Sequence, residues 1–527
     1  MDIQLRHKIL YIILASIMLY TLYLINFRNN ILTHPISAAI TSFSFFSVIT
    51  IIIISLYPEL LDPNRNLSKI DDYVVFIATS TFLIVSISLI SSYGTDDMEY
   101  IFQALNYLFS GKNPYLANYY PYSVGPTYLI NGKIASTFVY PPFSFLVYIP
   151  FYLLIRLTSA PGYYINIVNV IFDIILIILI YLEGRKKQDP LAVLSVIFLY
   201  LLTAIAIPPF YGVNSVIPAT FLLISYLRDD KWGGVSLGIA SSFIQLSWLA
   251  LPFILIYKLK NSKISKIKNY LLYFILTIII INLPFVILNY KAFLYNIFTT
   301  DINTIPVGAL GLTVINYAGV YQLEPWFFTF SESVVSIFLI YIYYRFFEIL
   351  KQSIWIYPMI ISWFMWRTLT EYFFLWIPLL FVTIYKMDYK LPSIKINIRK
   401  DIGVPLFILL TLLLSVGVYA HETYISTNPL KILNVQPLGK QPYSAILVEV
   451  KNLGNKPLNI TLVRVSLPNN LNMVWNFTYT LIPPNSSSIL FAYAPYYNET
   501  INSTVFTVEV YSYYYFATYK VNVSNIS

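Results

Sequence analysis

The chain has no cysteine, three histidines and few charged side chains, and each shortage excludes a class of protein. Without cysteine it forms no disulfides and no thiolate metal sites. The three histidines, His7, His34 and His421, lie far apart in the sequence, which argues against a histidine metal site. Charged residues make up 11% of the 527 residues, against roughly 25% in soluble domains. Together with a hydrophobic content of 58%, this composition excludes a soluble globular protein.

The basic residues form short clusters between apolar runs, so the formal net charge of +9 does not indicate nucleic-acid binding. This is the distribution that the positive-inside rule gives for cytoplasmic loops. The two clearest clusters lie within residues 258–268 and 386–400, and both are predicted to be cytoplasmic. The pattern predicts a multi-pass protein of the cell membrane.

Apolar runs that are long enough, or nearly long enough, to cross a bilayer recur throughout residues 1–420. They predict a polytopic α-helical membrane domain with about thirteen transmembrane helices. Polar stretches at about 93–139 and 291–326 are predicted to form external loops. Simple alternation of the spans would place the basic residues 185–187 outside as well, and a re-entrant segment within 140–257 would remove that conflict.

The apolar stretch 354–386 is too long for one helix and is interrupted by Arg367 and Glu371, so it predicts a hairpin of two short helices. Ionisable side chains at membrane depth are candidates for function. The structural alternative is an ion pair between these two residues, which are spaced i, i+4.

From residue 421 onward the hydrophobic period changes to two, which predicts an all-β sandwich of about seven strands over residues 421–527. The run Val450–Pro457 (VKNLGNKP) resembles cell-adhesion-type archaeal sandwich modules. The last apolar run, 402–420, carries this domain to the extracytoplasmic side. The clearest alternating segments are 443–450, 458–467, 504–511 and 514–523.

N-glycosylation sequons are concentrated in the same region, with only one, at Asn66, elsewhere in the chain. Asn, Ser and Thr are also common in β-turns, which is the plain alternative. The clustering of the sequons in the one domain that is predicted to lie outside favours glycan acceptors. The acceptor candidates are Asn459, Asn476, Asn485, Asn498, Asn502, Asn522 and Asn525.

Three carboxylates, Asp96, Asp97 and Glu99, lie within four residues at the point where the chain leaves the third predicted span. A predicted amphipathic helix follows, then the turn Gly111–Tyr115 (GKNPY), and the chain re-enters the membrane at Tyr140-Pro-Pro. Acidic residues also favour a solvated helix N-terminus, which is the structural alternative.

The order of these motifs resembles the GT-C superfamily of membrane glycosyltransferases, and its polyprenyl-phosphate-mannose-type branch in particular. The resemblance covers about residues 72–390 and includes the segment 207–257, in which Gln245 precedes an apolar-Pro exit. Three spans precede the acidic loop, where many relatives have one, so the first helices do not align strictly. The acidic pair Asp96-Asp97 leaves open which carboxylate is the base.

The resemblance implies that a hexose such as mannose moves from a polyprenyl-phosphate donor to a glycan, lipid or protein acceptor by inverting direct displacement. Asp96 or Asp97 would act as base, and Arg367, with Lys112 as a second candidate, would bind the donor phosphate. No cofactor is required, and a divalent metal at Asp96 and Asp97 has no further support in the sequence. Further candidates for the substrate site are Glu99, Tyr115, Tyr140, Gln245 and Glu371.

Plainer roles fit several of these residues equally well. Lys112 suits an ordinary surface lysine, Gln245 suits a hydrogen bond between helices, and Tyr140-Pro-Pro suits a helix start. Two other functions also fit a membrane domain with an external β domain. The first is a transporter or flippase of lipid-linked sugars, and the second is a non-enzymatic, membrane-anchored cell-surface protein.

Overall fold

The chain forms a helical part followed by an all-β part, with helices up to Thr427 and strands from Leu430 onward. The computed structural model describes residues 3–29, 35–62, 66–186, 190–206, 212, 214–299, 304, 311–387, 399–467, 470–478, 481–495 and 500–523.

Long apolar helices dominate the first part of the described chain. Seven helical stretches are long and apolar enough to cross a membrane, namely Leu5–Tyr23, Ala38–Leu56, Leu67–Leu89, Gly162–Arg185, Ile264–Thr299, Trp326–Arg345 and Arg399–Thr427. This confirms a mostly helical protein with several helices suited to membrane insertion. In chain order the helices are α1 Ile3–Asn29, α2 Pro35–Leu56, α3 Leu67–Leu89, α4 Asp96–Phe109, α5 Phe143–Leu146, α6 Ile149–Thr158, α7 Ile167–Arg185, α8 Leu194–Ala206, α9 Val216–Leu227, α10 Lys231–Ser241, α11 Leu251–Asn261, α12 Ile264–Thr299, α13 Thr313–Tyr317, α14 Trp326–Arg345, α15 Phe347–Leu350, α16 Ile356–Trp363, α17 Thr370–Lys386 and α18 Val404–Thr427.

Several predicted spans are divided into shorter helices. The run 140–157 forms α5 and α6, and the run 234–257 forms α10 and α11 with a 3₁₀ segment at Gln245–Ala250 between them. Proline stands in the first turn of both α6 and α11, where its missing N–H costs no helical hydrogen bond. The stretch 354–386 forms α16 and α17, and Arg367 lies in the turn between them.

Helix α12 extends further than the sequence pattern indicates. Residues 291–299, placed in the second external loop by their polarity, form the last part of this helix. The helix is kinked at Asn289, which has a φ of −167° and a ψ of 92°. The Asn289 side chain accepts a hydrogen bond from the Ala292 N–H at 2.9 Å, so it caps the part that follows the kink.

The all-β prediction for the C-terminal region is confirmed, and the four clearest predicted segments all contain strands. The strands are β1 Leu430–Leu438, β2 Ala445–Asn452, β3 Leu458–Asn459, β4 Leu462–Leu467, β5 Asn470–Phe477, β6 Leu481–Ile482, β7 Ser487–Tyr493, β8 Val505–Ser512 and β9 Tyr515–Asn522. The seven longer strands form one antiparallel sheet in the order β1-β2-β7-β5-β4-β8-β9, while β3 pairs with β6. Strand β5 joins the two halves of this sheet because it pairs with both β4 and β7, and the edge strands β1 and β9 contact each other.

Helix α18 continues to Thr427, past the boundary at 420 that the sequence suggests, and its end is bonded to the β domain. The Tyr424 hydroxyl accepts a hydrogen bond from the Phe516 N–H at 3.0 Å, and the Asn428 amide donates to the Phe516 carbonyl at 3.1 Å. The Tyr515 hydroxyl donates to Glu324, just before α14, at 3.3 Å. The β domain is therefore attached to the helical part by side chains as well as by the chain itself.

A hairpin within the polar stretch 93–139 also contacts the β domain. It is closed by backbone hydrogen bonds from Ala135 N–H to the Thr127 carbonyl and from Leu129 N–H to the Lys133 carbonyl, both 2.8 Å. At its tip, a Cβ added to Gly132 would lie 1.9 Å from the Thr461 carbonyl oxygen. Tyr128 and Ile130 of this hairpin, which we call the 127–135 hairpin, pack against Leu462, Tyr511 and Phe516.

We expect Gly132→Ala to separate the 127–135 hairpin from the β domain. Gly111 is a matched control, since it also has a positive φ, +75° against +78°, but a Cβ added to it would meet no described atom within 4 Å. The strain of about 1–2 kcal/mol at positive φ is common to both alanine variants. Gly132→Ala should therefore melt at a lower temperature than Gly111→Ala and should be cut faster by protease between α18 and β1. Equal behaviour of the two variants would contradict the contact with Thr461.

Candidate active site

The acidic stretch forms the first turn of α4, which begins just after the third long helix. Thr95 is the N-cap residue, and its side chain accepts a hydrogen bond from the Met98 N–H at 3.3 Å. The Thr95 hydroxyl also donates to the Gly212 carbonyl at 2.9 Å. Asp96, Asp97 and Glu99 all lie in the first helical turn, where the helix dipole favours negative charge.

Asp96 binds the backbone on both of its oxygens. Its Oδ1 accepts a hydrogen bond from the Asp97 N–H, and its Oδ2 accepts one from the Thr127 N–H, both at 3.1 Å. Asp96 thereby holds the base of the 127–135 hairpin against α4. This carboxylate has a structural task in addition to its position in the site.

Asp97 faces the tyrosine that begins the re-entry motif. The Tyr140 hydroxyl donates to Asp97 Oδ2 at 2.9 Å. Tyr140 is held in turn by Tyr115, whose hydroxyl donates to the Tyr140 carbonyl at 2.7 Å. Gln245 fixes the preceding residue, because its amide donates to the Val139 carbonyl at 2.7 Å and to the Ile297 carbonyl at 3.0 Å. Three of the predicted site residues, Tyr140, Tyr115 and Gln245, thus position the hydroxyl that bonds to Asp97.

Tyr115 is buried in an aromatic cluster and positions the motif from behind. Its ring lies 5.0 Å from that of Phe293 and 5.7 Å from that of Phe285, measured between centroids. The side chain of Asn296 donates to the Tyr115 carbonyl at 3.0 Å. Burial raises the pKa of Tyr115 well above its usual value, so the hydroxyl stays protonated as a hydrogen-bond donor.

Glu99 and Lys112 do not line the cleft that Asp96 and Asp97 line. Glu99 is 4% exposed, and its carboxylate accepts hydrogen bonds from the Tyr122 N–H, the Ser123 N–H and the Ser123 hydroxyl. Those bonds close the loop that follows α4. Lys112 is exposed in the turn beyond the end of α4. Glu371 is in the first turn of α17, but its side chain lies outside the described residues.

Arg367 joins the two aspartates in one cleft, although it is more than 260 residues later in the chain. The cleft is open, with about 540 Å³ of empty space, and we call it the first compartment. The described residues that line it supply two carboxylates and one guanidinium among polar and aromatic groups. They are Asp96, Asp97, Tyr100, Thr127, Ala135, Thr137, Phe138, Val139, Tyr140, Thr304, Arg367, Leu369 and Tyr372.

Tyr100, on the wall of the first compartment, is already bonded within the protein. Its hydroxyl donates to the Ala135 carbonyl at 2.7 Å. Burial, followed by the negative charge of Asp96 and Asp97, raises the pKa of Tyr100 above its usual value. Tyr100 therefore stabilises the 127–135 hairpin and stays neutral near the carboxylates.

A second compartment adjoins the first and shares Asp97, Tyr140 and Tyr372 with it. Asp97 lines both compartments, whereas Asp96 and Arg367 line only the first. Among the lining residues, sequence reasoning identified Asp96, Asp97, Tyr140 and Arg367. The polar residues that it missed include Thr127, Tyr372, Asn214 and Ser215. Asn214 stands at the end of the Pro-rich segment 208–214, which is the only sequence signal that could have indicated it.

No group of three or more His, Asp or Glu side chains suited to a metal ion occurs among the described residues. Comparison with protein-family models, curated proteins and solved structures gives no match for this chain. The function proposed below therefore rests on the cleft and on the order of the motifs that surround it.

Proposed function

We propose that this chain is a GT-C-like glycosyltransferase that moves a hexose such as mannose from a polyprenyl-phosphate donor to a hydroxyl of a glycan, lipid or protein. The observation that carries the proposal is that Asp97 and Arg367 line one cleft in a chain that also has helices long and apolar enough to cross a membrane. A lipid-bound sugar phosphate needs this combination, because the reaction requires a base at one end and a cation for the departing phosphate at the other.

In the proposed step, Asp97 accepts the proton of the acceptor hydroxyl while the oxygen of that hydroxyl attacks the anomeric carbon of the donor sugar. The bond between that carbon and the phosphate oxygen breaks, and its electron pair leaves on the polyprenyl phosphate. Arg367 stabilises the charge that develops on the phosphate and is suited to bind two of its oxygens. The attack from the opposite side inverts the configuration at the anomeric carbon, and Asp97 later loses its proton to water.

Asp97 is preferred to Asp96 as the base because of the hydrogen bonds that each makes. Both oxygens of Asp96 accept hydrogen bonds from backbone N–H groups, and one of these bonds holds the base of the 127–135 hairpin against α4. Asp97 instead contacts the Tyr140 hydroxyl and borders both compartments. It is therefore the carboxylate that suits a position between a donor and an acceptor.

The test is sugar transfer by the full chain in reconstituted membranes, with radiolabelled polyprenyl-phosphate mannose as donor and methyl α-mannoside as acceptor. We expect labelled disaccharide and free polyprenyl phosphate to form together. Movement of the intact labelled lipid across the bilayer, without cleavage, would identify a transporter and overturn the proposal.

The proposal includes a topology with the β domain and the cleft on the external face of the cell membrane. It counts about thirteen membrane crossings, in which short apolar helices such as α6, α9 and α17 complete the seven long ones. The packing of the 127–135 hairpin against the β domain supports this arrangement, because the two must then lie on the same side.

Glycan occupancy tests that orientation. Four sequon asparagines are exposed, and we expect each to be modified when the chain is expressed in a cell that N-glycosylates: Asn476, Asn485, Asn502 and Asn522. Asn459 should remain unmodified, because it is half-buried and its sequon residue Thr461 is buried against Gly132. Asn498 and Asn525 lie outside the described residues. Peptide mass spectrometry measures the occupancy of each site.

Asn66 is the internal control for the same experiment. It precedes α3, on the cytoplasmic side in this topology, and its side chain accepts a hydrogen bond from the Lys69 N–H at 3.4 Å. We expect no glycan there. A glycan on Asn66 together with unmodified asparagines in the β domain would reverse the orientation.

A further inference from the structure

The second compartment is lined by residues at the start of α4 and just before α9, and it borders the first compartment at Asp97. Its described lining residues include Thr95, Gly212, Asn214, Ser215, Ile244 and Leu246, besides the three that it shares with the first compartment. None of these six residues is required by the reaction step described above. The compartment therefore has features that the proposed step leaves unexplained.

The close approach of two chain segments fixes the shape of this compartment. The Thr95 hydroxyl donates to the Gly212 carbonyl at 2.9 Å, and a Cβ added to Gly212 would lie 2.7 Å from the Tyr93 carbonyl oxygen. Only glycine allows the two backbones to meet at that distance. The residues that follow Gly212, at the start of α9, are consequently held beside the first turn of α4.

Two buried polar side chains in this wall have no hydrogen-bond partner among the described residues. Asn214 is 7% exposed and Ser215 is 5% exposed, and the unpartnered atoms are Asn214 Nδ2 and Ser215 Oγ. Ser215 occupies the N-cap position of α9, where a serine side chain ordinarily bonds to the helix, yet it makes no capping bond. Buried polar groups are nearly always hydrogen-bonded, and these two side chains line a compartment in which a ligand can bond to them.

The charge of the compartment favours a neutral ligand. Asp97 is the only charged side chain among the described residues that line it. A carboxylate in the wall disfavours an anionic ligand, whereas it accepts hydrogen bonds from hydroxyl groups. Ile244 and Leu246 add apolar wall against which the C–H face of a sugar ring can pack.

We propose that the second compartment binds the carbohydrate acceptor, so that the acceptor is a sugar with several free hydroxyl groups. Asn214 Nδ2 donates to one hydroxyl and Ser215 Oγ bonds to a neighbouring one. These two bonds orient a third hydroxyl toward Asp97. The proposal rests on the glycosyltransferase function proposed above and names the acceptor class and two residues that bind it.

Asn214→Leu and Ser215→Ala test the proposal, with methyl α-mannoside as the acceptor probe and polyprenyl-phosphate mannose as the donor. Each variant should raise the KM for methyl α-mannoside at least tenfold and should leave the KM for the donor within twofold of wild type. Ser241→Ala is the matched control, because Ser241 is also 5% exposed with an unpartnered hydroxyl but does not line either compartment. It should leave both KM values unchanged.

Thermal stability separates ligand binding from a structural role. Removing a buried donor that has no partner relieves its desolvation, so the two variants should melt no lower than wild type in the absence of ligand. A purely structural role would instead lower the melting temperature and change the KM values for donor and acceptor together. Either that pattern or an unchanged KM for methyl α-mannoside would overturn the proposal.

Direct binding distinguishes failure of this proposal from failure of the enzymatic function. Saturation-transfer NMR of methyl α-mannoside with the full chain needs no donor and no turnover. If wild type shows no transfer activity but binds the sugar, and Asn214→Leu does not bind it, the result supports the sugar site and contradicts the transferase function. If transfer proceeds but both variants bind and react as wild type does, the result supports the transferase function and contradicts the acceptor site. Absence of both binding and transfer would overturn the two proposals together.

Discussion

Asp97→Asn is expected to reduce sugar transfer by about 10²–10⁴-fold, the usual contribution of a general base. An asparagine has the same shape and can still accept the hydrogen bond from Tyr140, which is 2.9 Å long in the native protein. It cannot take up the proton of the acceptor hydroxyl. The loss should therefore appear in kcat, with the melting temperature unchanged, when transfer from polyprenyl-phosphate mannose to methyl α-mannoside is measured.

Asp96→Asn is the adjacent comparison and should behave differently. Its amide group would place N–H donors against one of the two backbone N–H groups that now bond to the carboxylate. An unsatisfied group of this kind costs about 1–3 kcal/mol, so the melting temperature should fall while part of the activity remains. If Asp97→Asn keeps full activity and Asp96→Asn loses it, the assignment of the base is reversed. If both keep full activity, neither carboxylate is the base.

Arg367→Gln is expected to reduce kcat by about 10²–10³-fold, as removal of one preorganised charge-stabilising group typically does. The reason is that the departing polyprenyl phosphate then gains its negative charge without a facing cation. Arg367→Lys should recover part of the activity, since the charge remains but the two-pronged contact with phosphate is lost. The KM for the donor should rise in both variants.

Lys112→Gln is the control for Arg367→Gln, because it removes a positive charge that lies outside the cleft. Lys112 is exposed beyond the end of α4 and does not line the cleft, so its variant should transfer sugar as wild type does. A large loss in Lys112→Gln, with little effect in Arg367→Gln, would move the donor phosphate out of the first compartment. The same assay, run over a range of donor concentrations, measures both variants.

The sequence predicts those parts of the fold that depend on local periodicity. The alternation in residues 445–452 corresponds to strand β2, in which every second side chain is buried. Strand β1 was missed because Pro437 and a register irregularity between Ile432 and Asn434 interrupt its pattern. The kink at Asn289 was also missed, since a polar residue between apolar runs marks a loop and a capped helix restart equally well.

The candidate site shows a sharper limit of sequence reasoning. The motifs place Asp96, Asp97 and Arg367 among the candidates, and the structure brings all three to one cleft. Which aspartate holds the 127–135 hairpin depends on the N–H of Thr127, and local sequence patterns do not reveal this partner. Asn214 and Ser215 carried no comparable signal, because an unpartnered buried side chain is visible only when its surroundings are known.

The configuration of the transferred sugar tests the central claim most directly. The full chain is incubated with polyprenyl-phosphate mannose of one defined anomer and with methyl α-mannoside, and NMR of the product gives its anomeric configuration. Direct displacement by a hydroxyl that Asp97 deprotonates predicts a product of the opposite anomeric configuration, formed by wild type and not by Asp97→Asn. A product that retains the donor configuration, or one that forms equally well with Asp97→Asn, would contradict the account.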